Sequence, residues 1–326
     1  MAHTSSERAR MRQPEGRRGS GRRLGWLLAS LCLALGLGWG APFQAGAALR
    51  VFTCEPEWAS LAQALGGDHV HVDSATTPFQ DVHYIQARPS LIAKVRRADL
   101  LVCSGAELEI GWLPVLLRQA RNGRIQPGST GYLEASRYVP MLDVPSRVDR
   151  AQGDIHPYGN PHIQTDPRNV ARVAEELASR LEALDPDHRA DYRARYDAFA
   201  QRWQAAMSRW RERAAPLRGM EIVTHHLAWV YLAHWLGLRV VAHLEPKPGI
   251  PPSAGHLAQL VQTLARHPVR VIVRAVYQDA HASEWLSRRT GAPALVLPHC
   301  VGATDDAGDL YAMFDTIVDR LLEARG

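Results

Sequence analysis

The chain has 326 residues, 38 Lys and Arg against 33 Asp and Glu, a formal charge of +5 and a pI near 9.2. The excess is local: residues 1–23 hold seven arginines and two acidic residues, and the remainder counts 31 basic against 31 acidic, so charge gives no ground for a nucleic-acid partner. About 280 residues follow the basic leader, enough for two lobes at the usual ~100–150 residues each.

Residues 24–41 are an uncharged run rich in Leu, Ala, Gly and Trp, and Ala45-Gly46-Ala47 supplies a small-residue cleavage site. Residues 1–47 therefore read as a secretory signal peptide and the mature protein as periplasmic. The apolar run Leu24 to Leu37 is short for a span of about 20 residues, so no stable membrane anchor is expected. Leu31 before Cys32 is too large for a usual lipoprotein processing site.

Beyond the leader, short β-branched runs alternate with helical patterns. Strands are expected at Leu49 to Cys54, Val70 to Ser74, Leu100 to Cys103, Glu221 to Thr224, Val240 to His243, Val269 to Val273 and Ala294 to Leu297. Helices are expected between them, including Ser90 to Arg97, Asn169 to Leu184, Ser253 to Arg266, Ala282 to Thr290 and Leu310 to Ala324. This alternation implies an α/β fold with parallel sheets, whose ligands bind at the carboxyl ends of strands. Cys54 and Cys103 each end a strand; in an oxidising compartment they could pair, but with Cys300 the mature count is three, and two buried thiols are the expectation.

From Pro186 to about Leu217 the rhythm breaks. Tyr192, Tyr196, Phe199, Trp203, Met207 and Trp210 recur at intervals of three and four, one stripe of a helix. About thirty residues would span roughly 45 Å and act as a rigid connector between two α/β units; a coiled-coil partner helix is the alternative.

Three histidines stand in separate short motifs: His83 in Gln80-Asp81-Val82-His83-Tyr84, His162 in Gly159-Asn160-Pro161-His162, and His226 in Thr224-His225-His226. They lie 79 and 64 residues apart, so only the tertiary fold can bring them to one metal. Imidazole suits zinc, which takes three or four such donors in a tetrahedron.

These motifs resemble the zinc- and manganese-binding solute-binding proteins of bacterial ABC transporters, the ZnuA/TroA-like group. The likeness lies in His83 with Pro89-Ser90 downstream, in Pro161-His162-Ile163-Gln164-Thr165-Asp166-Pro167, and in His226 followed by Tyr231, and it extends over the mature chain. It implies two α/β lobes joined by a long rigid backbone helix, with the metal in the interlobe cleft. The boundaries are then a signal peptide 1–47, an N-terminal lobe 48–185, a connector 186–217 and a C-terminal lobe 218–326. It implies His83, His162 and His226 as ligands, with His226 preferred over His225 by its spacing to Tyr231.

The family's usual aspartate after the last strand is replaced here by Leu297-Pro298-His299-Cys300, so His299 is the expected fourth ligand, with Cys300, Glu245, Asp305 or water as alternatives. The long His-rich loop of many zinc members is missing; His156 alone stands there and is expected at the surface. The Pro-rich loop Glu245 to Pro252 could shape the cleft mouth. The implied cargo is Zn²⁺ rather than Mn²⁺, the partners a membrane permease and its ATPase, and the protein a monomer and not an enzyme. A secreted zinc hydrolase, or a two-lobe binder of a metal chelate or other small molecule, are the rival readings; the helical His-Glu-x-x-His signature of the former is absent.

Overall fold

The computed structural model describes residues 47–148, 151 and 153–326, and Ala47–Gly326 form one compact unit. The signal peptide assigned to 1–47 lies, apart from Ala47, outside the described residues. No helix among the described residues is long and apolar enough to cross a membrane.

Two parallel four-stranded sheets carry the chain. The first contains β1 (Leu49–Thr53), β2 (Val70–Ser74), β3 (Leu100–Cys103) and β4 (Tyr132–Glu134) in the order β2-β1-β3-β4. The second contains β5 (Glu221–Thr224), β6 (Arg239–His243), β7 (Val271–Arg274) and β8 (Ala294–Val296) in the order β6-β5-β7-β8. Strands covered on both faces read as unbroken apolar runs, and all four residues of β3 are buried. The sequence reading lacked β4, a three-residue strand with only its central Leu133 buried, too short to leave a pattern.

The helices are α1 (Pro56–Gly66), α2 (Pro89–Arg97), α3 (Leu113–Ala120), α4 (Pro167–Leu184), α5 (Arg189–Arg213), α6 (Val230–Leu236), α7 (Ala254–Arg266), α8 (Ala280–Thr290) and α9 (Leu310–Arg325). Prolines begin several of them because the first helical position needs no N–H partner. α2 and α3 cover one face of the first sheet around Phe52, Leu91 and Trp112. α7 and α8 cover one face of the second around Val223, Leu260 and Leu286. Between them a single core runs through both halves, joining Trp58 and Leu100 to Leu177, Trp203, Tyr231 and Phe314.

α5 is the connector helix. Its 25 residues span about 38 Å rather than 45 Å, because both ends tighten into single 3₁₀ turns at Pro186–His188 and Ala215–Leu217. The aromatic stripe packs inward on α1, α4 and α9 of its own chain, so it serves the fold. Phe199 stacks on Trp203 at 5.2 Å, Trp203 meets Trp210 edge-on at 5.2 Å, and Trp210 lies 5.1 Å from Phe314. Both buried indoles are satisfied: Trp203 Nε1 donates to the Pro167 carbonyl at 2.8 Å and Trp210 Nε1 to Asp315 at 2.9 Å.

Cys54 and Cys103 form a disulfide, correcting the expectation of two thiols. β1 and β3 are parallel neighbours with Thr53 level with Val102, so the residues that follow stand side by side with Cα atoms 4.8 Å apart. Cys300 remains a free, buried thiol.

Replacing Trp203 by Ala should cost about 3–5 kcal/mol, since it empties the centre of the aromatic seam and strips the Pro167 carbonyl of its donor. Urea unfolding followed by far-UV circular dichroism measures this; a loss below about 1 kcal/mol would show that the seam does not hold α5 in place.

Candidate metal centre

His83 sits in a single 3₁₀ turn, Val82–Tyr84, nine residues beyond β2. Trp112 fixes that turn by donating Nε1 to the Val82 carbonyl at 2.8 Å. His162 immediately precedes the 3₁₀ turn Ile163–Thr165 that leads into α4. Asp166 caps α4 by accepting from the Arg168 N–H at 2.9 Å, and Pro167 opens the helix, which is the structural sense of the Asp-Pro pair in that motif. His226 lies two residues past β5 in extended backbone.

The fold brings these three together. Their side chains are almost fully buried and offer nitrogen atoms that all lie within 4.8 Å of one another. His162 Nε2 and His226 Nε2 are 3.3 Å apart. Zinc–nitrogen bonds of 2.0–2.1 Å at tetrahedral angles require an edge of about 3.3–3.4 Å, so this pair already stands at ligand spacing. The Nε2 atom of His83 is buried with no hydrogen-bond partner, a nitrogen whose lone pair is available to a cation.

Carboxylates set which nitrogen faces inward. Asp81 Oδ1 lies 2.7 Å from His83 Nδ1, and Glu245 Oε2 lies 2.7 Å from His226 Nδ1. A proton held at Nδ1 leaves the Nε2 lone pair free, the arrangement that orients metal-bound histidines. Burial alone would raise Asp81, but the hydrogen bond and charge of His83 outweigh it and hold the carboxyl below its usual range. Burial, then the neighbouring His226 and His83, push His162 well below the usual imidazole range, leaving it neutral and ready to bind at neutral pH.

Tyr231, five residues after His226, does not join the group. Its hydroxyl donates to the Asn160 carbonyl at 2.8 Å and accepts from the Leu142 N–H at 3.0 Å. Asn160 in turn accepts from the His162 N–H at 3.0 Å and donates Nδ2 to the Leu227 carbonyl at 2.9 Å. The tyrosine thus locks the loop bearing His162 against the turn bearing His226.

The other candidates separate. His225 turns aside, with Nε2 3.9 Å from Glu245 Oε1 and a buried, unpartnered Nδ1. His299 stands outside the three: its ring packs edge-on against Tyr277 at 4.9 Å and its Nε2 faces Cys300 Sγ at 3.5 Å. Asp305 is exposed. His156 corrects the expectation of a surface residue: its ring lies 5.5 Å from that of His83, its Nε2 is buried without a partner, and burial lowers it to about 4. Its loop is tied down from both sides. Tyr84 donates to Asp154 Oδ2 at 2.6 Å, the Asp154 N–H to the Pro248 carbonyl at 3.0 Å, and Lys247 to the Ala151 carbonyl at 2.7 Å. Gly153 has φ +88°, and a Cβ there would meet the Pro248 oxygen at 2.3 Å, so only glycine fits against the Pro-rich loop. An open recess of about 260 Å³ borders His83, His225 and His226, with Phe79, Tyr84 and Tyr277 on its walls.

The family model described as zinc-uptake complex component A, periplasmic (ZnuA), matches residues 51–324. The zinc-binding lipoprotein AdcA of Streptococcus pneumoniae serotype 4 is 23% identical over 312 residues, 93% of this chain; the chain spans only 60% of that relative's length. The iron-binding protein YfeA of Yersinia pestis is 28% identical over 241 residues, 71% of each chain. A crystal structure of ZnuA superposes with a TM-score of 0.72 at 23% identity, covering 86% of this chain and 100% of that one, a likeness of fold.

If Tyr231 positions the loop of His162, Tyr231→Phe should weaken metal binding about 10-fold while every imidazole is kept. Competition with a chromogenic chelator reads this, with circular dichroism confirming the fold; unaltered affinity would show that the hydroxyl clamp is not needed.

Proposed function

Because the chain belongs to the ZnuA family of periplasmic zinc-uptake components, we propose that it captures a divalent transition metal, zinc foremost, in the periplasm and hands it to a membrane permease driven by an ATPase. The observation that carries this reading is the inward facing of three buried imidazoles, two of them braced at Nδ1 by carboxylates. His83, His162 and His226 are the ligands. His156, whose ring touches that of His83, is the imidazole that closes the shell in preference to His299, whose ring meets Tyr277 instead.

Nitrogen donors favour zinc over manganese, which recruits hard carboxylates. Here the two nearest carboxylates, Asp81 and Glu245, are engaged by imidazole Nδ1 atoms. The same engagement supports binding without chemistry, since neither is left to act as the general base that a zinc hydrolase needs. AdcA is named for zinc and YfeA for iron, so the metal is decided by each chain's own donors.

In this reading residues 1–47 direct export, 48–185 and 218–326 are the two lobes, and 186–217 limit their relative motion; the protein works as a monomer. Uptake of the metal excludes protons from the imidazoles, so affinity falls as pH is lowered.

His83→Ala, His162→Ala and His226→Ala should each weaken Zn²⁺ binding by more than the roughly 10–100-fold typical of outer supporting groups. His156→Ala should cost about 10-fold, and His299→Ala should leave Zn²⁺ affinity unchanged. Calorimetry with a competing chelator measures all five, and elemental analysis of protein purified without added metal should find zinc. An unchanged affinity removes that residue from the ligand set, and a large loss in His299→Ala would overturn the choice of His156.

A further inference from the structure

The segment 153–157, which carries His156, is held to both halves of the molecule by one residue, Asp154. On the first half, the Tyr84 hydroxyl donates to Asp154 Oδ2 at 2.6 Å, and Tyr84 directly follows the ligand His83. On the second, the Asp154 N–H donates to the Pro248 carbonyl at 3.0 Å. The carboxylate also lies against the backbone of Gly249, where a Cβ would collide with Asp154 Oδ2 and approach the Tyr84 hydroxyl to 3.1 Å. Gly249 has φ +74°, so conformation and space both require glycine there.

The Pro-rich loop that receives Asp154 is joined to another ligand. Glu245 Oε2 accepts from the Gly249 N–H at 3.0 Å and lies 2.7 Å from Nδ1 of His226. Asp154 itself stands two residues before His156. Its contacts therefore adjoin His83 on one side and the carboxylate that braces His226 on the other.

The surroundings give this junction its meaning. Three recesses reach the ligand imidazoles: one of about 260 Å³ at His83 and His226, one of about 180 Å³ at His162 and His226, and one of about 840 Å³ at His83. Asp154 lies on the wall of all three, so the segment stands where they meet, with the His156 ring 5.5 Å from that of His83.

We propose that Asp154 is a positioning residue for the bound metal: by bonding to both halves at once it keeps the His156 ring against His83, and so sets how slowly the ion leaves. This rests on the reading of His83, His162, His226 and His156 as the metal shell. Contacts that retain a bound species act mainly on its departure and little on its arrival, so the effect falls on the dissociation rate. Asp154 serves as a hydrogen-bond acceptor for Tyr84 rather than as a charge, so an amide oxygen in its place does the same work.

Stopped-flow mixing of the Zn²⁺-loaded protein with excess chromogenic chelator gives the release rate, and mixing of the metal-free protein with Zn²⁺ gives the rate of uptake. Asp154→Ala and Tyr84→Phe should each release zinc at least about 10-fold faster, with uptake changed by less than about 3-fold. Asp154→Asn, which keeps an acceptor for the Tyr84 hydroxyl, should release at the wild-type rate. In the His156→Ala background Asp154→Ala should add nothing, because the imidazole it positions is gone. Release at the wild-type rate in either Asp154→Ala or Tyr84→Phe, equal acceleration by Asp154→Asn and Asp154→Ala, or further acceleration by Asp154→Ala where His156 is absent would each overturn the proposal while leaving the three-histidine site standing. A wild type that holds no zinc would instead sink the metal reading itself, and the proposal with it.

Discussion

Three buried imidazoles gathered with nitrogens within 4.8 Å of one another are the constraint on which the rest of the molecule depends. Without a cation only His162 and His226 meet, Nε2 to Nε2 at 3.3 Å, while His83 Nε2 forfeits the hydrogen bond it would make in water. The surroundings must therefore hold the arrangement by force of other bonds. Asp81 and Glu245 fix two ring orientations, and the Tyr231 hydroxyl with Asn160 fixes the third segment against the first two. Such preorganisation removes most of the ordering that binding would otherwise require.

That local rigidity would be lost if the two sheets swung freely. They share one apolar core, and the indoles of α5 are bonded at Pro167 on one side and Asp315 on the other. Arg213 adds charge pairing to Asp315 and Asp319 at the far end of the helix. The seam thus ties both halves to one helix.

The sequence made most of this visible where the pattern was local or periodic. Seven of the eight strands lay in apolar runs, the connector in its three-and-four stripe, and the motif histidines in their Pro-marked turns. What escaped had no local cause. The Cys54–Cys103 pairing follows from the register of β1 on β3, which composition does not reveal. His156 is drawn to His83 by Tyr84, Lys247 and Pro248, partners 70 to 96 residues from the residues of its own loop. His299 sits beside its strand end as read, but its ring is taken by Tyr277. Tyr231 was legible as a spacing marker; its role as a clamp needed the loop it clamps.

The repeated strand order has a consequence for what each half presents. Each half ends its central strand in the same threonine-anchored turn, written Thr53-Cys54-Glu55 in one and Thr224-His225-His226 in the other. The same backbone turn thus presents a carboxylate in one half and an imidazole in the other, and the strand that carries it is unchanged by which of them follows.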